Sequence, residues 1–123
     1  MSCPFCEIPA SQIIIENEIA KAFYDKYPVQ KGHLLIVPKR HFTSYFEATE
    51  EEFLAIHRLL NQGKEIVDKA YQPDGYNIGV NVGTYGGQTV MHLHVHLIPR
   101  YKGDIGDPRG GIRKAIPNLV PYP

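Results

Sequence analysis

The chain carries no surplus of either charge: Lys plus Arg number 13, and Asp plus Glu also number 13. Proteins that bind nucleic acid usually show a basic surplus, so no nucleic-acid polymer is expected as a partner. A small phosphorylated ligand stays open, because one pocket can be basic on a neutral protein. Long hydrophobic runs are also missing. The longest in the first half is Leu34-Leu35-Ile36-Val37, far short of the roughly 20 residues that span a bilayer. No membrane partner is expected. Met1-Ser2-Cys3-Pro4 has no charged region followed by an apolar one, so a secretory leader is not expected and a cytoplasmic location is. Cysteine is scarce, with Cys3 and Cys6 alone. In the cytoplasm such a pair is expected to be free or metal-bound rather than bridged. Repeats and low-complexity runs are absent. A chain of 123 residues suits one domain and buries roughly two thirds of its unfolded surface, enough to need no disulfide staple. One domain over 1–123 is expected, with a core at 1–102 and a Gly/Pro-rich tail at 103–123.

Three short apolar segments read as strands: Ile13-Ile14-Ile15, Ile19 to Tyr24, and Leu34 to Val37. Asn17-Glu18 marks the first turn, Pro28 to Gly32 interrupts the second and third strands, and Pro38 ends the third. Thr49-Glu50-Glu51-Glu52 is a capping box, in which the hydroxyl and the last carboxylate each satisfy an orphan backbone N–H. Phe53, Ile56, Leu60, Val67 and Ala70 follow at helical spacing. Gly63 falls on that face, where a backbone is expected to pack close. The helix should stop before Pro73. Tyr76 to Val82 alternates strictly and reads as a strand. The glycine-rich turn 83–89 follows, and Val90 to Ile98 reads as a final strand stopped by Pro99. Strands joined by so short a turn should pair antiparallel. The sum is an α+β domain, an antiparallel sheet with one main helix packed on one face.

On the last strand the period of two puts His92, His94 and His96 on one face, about 6.5 to 7 Å apart from one to the next. Leu93, Val95 and Leu97 take the other face, which must be the core. Imidazole can act as nucleophile, base or donor near neutral pH. A nucleophilic imidazole needs one nitrogen free and the other held by an acceptor. Backbone N–H groups of the glycine-rich turn can hold a phosphate beside such a row. Spacing alone leaves a rival, because His-x-His on a strand also places two ligands on one metal ion. Cys3-Pro4-Phe5-Cys6 has two readings as well. Dithiol redox chemistry normally sets this motif after a strand and at the start of a helix, and no strand precedes it here. Half of a zinc site is the other reading.

His92-Leu93-His94-Val95-His96-Leu97-Ile98 resembles the signature of the histidine triad (HIT) family, three histidines alternating with apolar residues. Phe23-Tyr24-Asp25, Pro28, Gly32-His33 and Pro38-Lys39-Arg40-His41 are similar to that family's upstream block, and Gly86-Gly87-Gln88-Thr89 to its phosphate loop. The resemblance implies a HIT-like fold and a reaction class: attack on the α-phosphate of a small nucleotide, with release of a nucleoside monophosphate. It implies His94 as the nucleophile that forms a nucleotidyl-imidazole. His96, Thr89, Asn81 and the Gly87 amide would hold the α-phosphate. Asp25 would bind the ribose hydroxyls, and Phe5, Ile8 and Phe23 would line the base slot. Family members that bind zinc imply Cys3, Cys6, His41 and His92 as its ligands, with the ion structural and all four positions filled. His92 then goes to the metal and His94 to chemistry. His33 and His57 are expected to be ordinary residues. The ending Leu97-Ile98-Pro99-Arg100 and the segment from Gly103 to Arg113 look like the dinucleoside-polyphosphate hydrolase branch, in which Arg100, Arg109 and Arg113 would reach distal phosphates. Phosphoramidase activity towards an adenylated amine is the alternative reaction. A nucleotide- or zinc-binding regulatory protein with negligible turnover is the alternative of another class. Family members pair through the helix and a sheet edge, which implies a homodimer.

Overall fold

The computed structural model describes residues 2–116. Five strands form one sheet: β1 (Ile13–Glu16), β2 (Ala20–Tyr24), β3 (Leu34–Pro38), β4 (Gly75–Val80) and β5 (Val95–Arg100), with the helix α1 (Glu50–Tyr71) between β3 and β4. Their spatial order is β1-β2-β3-β5-β4 and every neighbouring pair is antiparallel. The α+β architecture expected from the sequence is the one observed. No helix among the described residues is long and apolar enough to cross a membrane. The end of the tail, 117–123, lies outside the described residues; before it, Gly111–Ala115 forms a short 3-10 turn.

The period of two divides the sheet into two faces. Ala20, Ala22, Leu34, Ile36, Val95 and Leu97 point to the helix side and form one core with Ala55, Ile56, Leu59 and Val67 of α1. Phe23, Leu35 and Val37 point the other way, where Phe5 and Ile8 from the N-terminal turn cover them. The helix begins at the expected capping box, with Thr49 as N-cap and Glu52 bonded back to the Thr49 N–H. Its buried stripe is rotated from the expected one. Ala55, Leu59 and Gly63 are inside with Ile56 and Val67, whereas Ala70 is exposed and Phe53 and Leu60 are only partly covered. Among the described residues Gly63 meets no second backbone. A Cβ there would lie 3.0 Å from the Leu34 side chain, so the glycine lets β3 of the same chain sit against α1.

The last strand is shorter at its start than the pattern predicts. The β3–β5 ladder runs from Leu34↔Leu97 to Ile36↔Val95 and stops there. Before Val95 the chain leaves β3: the Leu93 N–H donates to the Phe42 carbonyl, and the His92 ring reaches the Pro38 carbonyl in place of a ladder bond. At its other end β5 continues through Pro99 to Arg100. Past Leu97 it pairs with β4 alone, and a proline is tolerated where one ladder is already missing. β4 likewise ends at Val80, short of the expected Val82, and Ile78 is half exposed on the sheet's outer strand.

Candidate functional site

His92, His94 and His96 still project to the face away from the helix, although only His96 lies on a ladder. Leu93, Val95 and Leu97 are buried in the core, as expected. The three rings divide into two environments.

His92 is fully buried. Its Nε2 lies 2.8 Å from the Pro38 carbonyl, an acceptor only, so Nε2 carries the proton and Nδ1 keeps its lone pair. That lone pair faces Cys3 Sγ at 3.4 Å, Cys6 Sγ at 3.5 Å and His41 Nδ1 at 3.1 Å. Cys6 Sγ is also 3.4 Å from His41 Nδ1. All four donor atoms fall within 4.8 Å of one another. Around a tetrahedral zinc ion the neighbouring ligand atoms lie about 3.3 to 3.8 Å apart, so the spacing fits. The donor chemistry fits too. Burial holds His92 below its usual pKa, in the neutral form a metal needs. Desolvation, helped by Cys3 beside it, raises the Cys6 thiol, and a divalent cation is what would make a thiolate pair favourable there. The Pro38 carbonyl supplies the outer hydrogen bond that fixes a ligating imidazole. Lys21 is buried on the same face, and its charge acts on both Cys6 and His92.

His94 has a different set of partners. Its Nδ1–H donates to the His92 carbonyl at 2.9 Å, which leaves the Nε2 lone pair for chemistry. The ring is 7 % exposed, and the Phe5 ring stands edge-on to it with centroids 5.0 Å apart.

His96 lies 5.1 Å from His94, centroid to centroid, and it has a partner that the sequence reading set aside. The Val29 N–H donates to His33 Nδ1 at 3.2 Å, so the His33 proton sits on Nε2. That Nε2–H donates to His96 Nδ1 at 2.9 Å, with Asp25 Oδ2 at 3.4 Å alongside. His96 must therefore carry its own proton on Nε2. That atom is buried with no hydrogen-bond partner among the described residues. Burial first, then the neighbouring His94 and His33, push His96 down to about 4; burial also lowers His33 despite Asp25. Both rings are neutral at pH 7, and the relay ends in a buried, unused donor. Asp25, His33 and His96 also sit close enough to hold a metal, but His33 Nδ1 is taken by Val29 and its Nε2 is protonated. This group is a hydrogen-bonded line, unlike the Cys/His cluster. Extending the β3 alternation back from Val37 and Leu35 reaches His33, so a signal for its place was present in the sequence.

Phe5, Ile8 and Phe23 come together as one apolar patch beside His94. Asn81, just before the glycine-rich turn, and Thr89, at its end, are exposed. Gly87 adopts φ 97°, a left-handed conformation suited to glycine, with the Asn81 amide against it. Its N–H donates to the Thr84 carbonyl at 3.0 Å. A phosphate there would have to exchange with or share that bond. Gln88, which the sequence reading left unassigned, is 2 % exposed and pins the turn: it accepts from Gly83 N–H and donates to the Thr43 and Val90 carbonyls. Of the tail cations expected to reach distal phosphates, Arg100 is bound to Asp104 and Asn77, and Arg109 to Asp107. His57 is exposed on α1 beside Asn61, as expected.

An antiparallel sheet backed by one helix, with a histidine row on the face away from that helix and a glycine-rich turn between the two strands β4 and β5, defines a histidine-triad domain. The profile of the HIT domain matches residues 7–103, and the chain belongs to that family. It is 41 % identical over 107 residues to an uncharacterised HIT-like protein of Methanocaldococcus jannaschii, covering 83 % of this chain and 81 % of that one. It is 31 % identical over 104 residues to the asymmetrical bis(5'-nucleosyl)-tetraphosphatase of Schizosaccharomyces pombe, covering 84 % of this chain and 57 % of the relative. A zinc-bound histidine triad family protein from Mycobacterium smegmatis superposes with a TM-score of 0.76 at 33 % identity, over 85 % of this chain and 78 % of that one.

Proposed function

We propose that the protein is a nucleotide hydrolase or transferase that attacks the α-phosphate of a dinucleoside polyphosphate, with His94 as nucleophile, and releases a nucleoside monophosphate. The observation that carries this reading is the pairing of complementary nitrogens. His94 Nε2 offers a lone pair, and the adjacent His96 Nε2 offers a buried proton with no partner.

The lone pair of His94 forms the P–N bond as the P–O bond to the leaving nucleotide breaks. The ring becomes cationic at that moment, and its Nδ1–H bond to the His92 carbonyl strengthens, because charge-assisted hydrogen bonds are the stronger ones. His96 Nε2–H donates to a phosphoryl or leaving oxygen, and Thr89, Asn81 and the Gly87 amide add donors on the turn side. An acceptor such as water then displaces the imidazole, gives up its proton, and leaves with the nucleoside monophosphate. Asp25 Oδ1 accepts from Tyr27 N–H, and its remaining lone pairs are available to ribose hydroxyls. Phe5, Ile8 and Phe23 take the base. Cys3, Cys6, His41 and His92 would hold a zinc ion, which ties the N-terminus to the histidine row and has no coordination site left for substrate. We further propose that residues 1–123 act as one domain in the cytoplasm and work as a homodimer, for which sedimentation at micromolar concentration is the test.

Mass spectrometry of products from a substrate panel decides the reaction. Nucleoside monophosphate from diadenosine tetraphosphate, faster than from an adenosine phosphoramidate, is the expected result. The reverse order would make the protein a phosphoramidase. Binding without turnover on any member would make it a regulatory protein.

A further inference from the structure

We propose that the Cys/His cluster positions the nucleophile, and that Phe5 is the positioning residue through which it does so. The inference rests on His94 as nucleophile.

Phe5 lies between the two cysteines of the Cys3-Pro4-Phe5-Cys6 turn. The turn closes on itself through Glu7 N–H to the Cys3 carbonyl and Cys6 N–H to Cys3 Sγ, so the cysteines and Phe5 move together. The body of the domain meets this turn at two places. One is the thiols against His41 and His92. The other is Phe5 itself, whose ring is 5.0 Å from His94, 6.0 Å from His92 and 5.5 Å from Phe23. The contacts to both histidines are edge-on, at 70° and 77°.

His94 is thus gripped twice by the same cluster. Its Nδ1–H is held by the backbone carbonyl of His92, a cluster residue. Its ring is held by Phe5, a side chain of the cluster turn. His92 cannot turn away, because its Nε2–H is fixed on Pro38. Opening the cluster would release the Cys3–Cys6 turn and take Phe5 off the His94 ring, leaving that ring with its Nδ1–H bond and the His96 contact to hold it. A staple for the fold would not need an aromatic ring aimed at the nucleophile. A contact for the base alone would not need that ring between two ligating thiols.

The test compares wild-type protein loaded with zinc, the same protein after chelation, Phe5→Leu, and the double variant Cys3→Ser/Cys6→Ser. Phe5→Leu keeps apolar bulk and all four donor residues, so it is informative even where the cluster variant folds poorly. Three readouts are taken: the burst rate of nucleotidyl-His94 at saturating substrate, the affinity for AMP, and the His94 Nδ1–H signal in 15N spectra of the imidazoles. Phe5→Leu, chelation and the double variant should each lower the burst rate about ten- to a hundredfold, the scale of a reacting group displaced by up to an ångström. AMP affinity should change by less than the burst rate in each case. The Nδ1–H signal should weaken or broaden through faster exchange. Adding chelation to Phe5→Leu should cost little more than the worse of the two alone, since both act through one contact. An unchanged burst rate in Phe5→Leu would overturn the proposal. So would a loss confined to AMP affinity, or a cluster variant that melts earlier with the His94 signal intact. Absence of any adduct in the loaded wild type would instead refute the nucleophile assignment.

Discussion

Replacing His33 is the sharpest probe of the proton relay. His33→Ala deletes the donor to His96 Nδ1 (2.9 Å) and the acceptor for the Val29 N–H (3.2 Å). Two effects follow. His96 Nδ1 loses its partner inside the fold, whereas the Val29 N–H belongs to an exposed residue, where water can replace the lost bond. A loss of about 1 to 3 kcal/mol in stability is expected from that nitrogen. The second effect is on chemistry. Without His33, the His96 proton is no longer confined to Nε2. When it moves to Nδ1, the atom facing the phosphate becomes an acceptor and repels it. The cost is bounded by the loss of one phosphate donor, about 2.7 to 4 kcal/mol or a hundred- to a thousandfold in kcat. His33→Gln should recover part of it, because a carboxamide can donate to His96. Single-turnover release of nucleoside monophosphate, measured well below each variant's melting temperature, separates the two effects. The reasoning fails if His33→Ala retains wild-type turnover, or if it is slower than His96→Ala, since a residue acting through His96 cannot matter more than His96 itself.

Other predictions concern stability. Arg40 makes a two-point bond with the buried Glu52 at 2.9 Å and 2.9 Å and lies over the Phe42 ring at 4.1 Å. Arg40→Ala leaves that carboxylate with the Thr49 N–H as a remaining partner and should lower the urea midpoint; Arg40→Ala/Glu52→Gln should lower it less than Arg40→Ala, and a larger fall in the double variant would contradict this. Stability should also depend on pH through His96. The native ring titrates at about 4, and the unfolded ring near 6.5. Between these values the unfolded chain binds a proton that the native fold does not. Stability is therefore full above about pH 6.5 and falls as pH drops towards 4, by up to about 3 kcal/mol from this group. His96→Asn should flatten that slope, and an unchanged slope would remove His96 as its cause.

Much of the fold was legible because local rules agreed. The capping box at Thr49 set the start of α1, and the alternation around Leu93, Val95 and Leu97 gave the buried face of β5. What was not legible depended on neighbours. The stripe of α1 turned towards Ala55 and Leu59 because Leu34 fills the gap left by Gly63. The last strand began at Val95 because β3 ends its pairing there and Phe42 takes the Leu93 N–H. The site shows the same division. Spacing gave the histidine row and the glycine-rich turn, but could not choose between metal and nucleophile for His92 and His94. The division proposed for them rests on two carbonyls, Pro38 for one ring and His92 for the other, which only the folded backbone supplies. His33 lies one residue before β3, where the alternation carried back from Leu35 gives its face but not its partner. Arg100 and Arg109 read as free cations because their partners, Asp104 and Asp107, are recruited by the local path of the tail.

The central claim is that His94 Nε2 becomes covalently attached to phosphorus, and rapid-quench mass spectrometry tests it most directly. Wild-type protein mixed with diadenosine tetraphosphate and quenched in base within the first turnover should carry one nucleotidyl group, mapped to the peptide that contains His94. His94→Ala should carry none, should lose turnover by at least about a thousandfold, the scale of a lost nucleophile, and should still bind AMP. An adduct on another residue, or near-normal turnover in His94→Ala, would contradict the account.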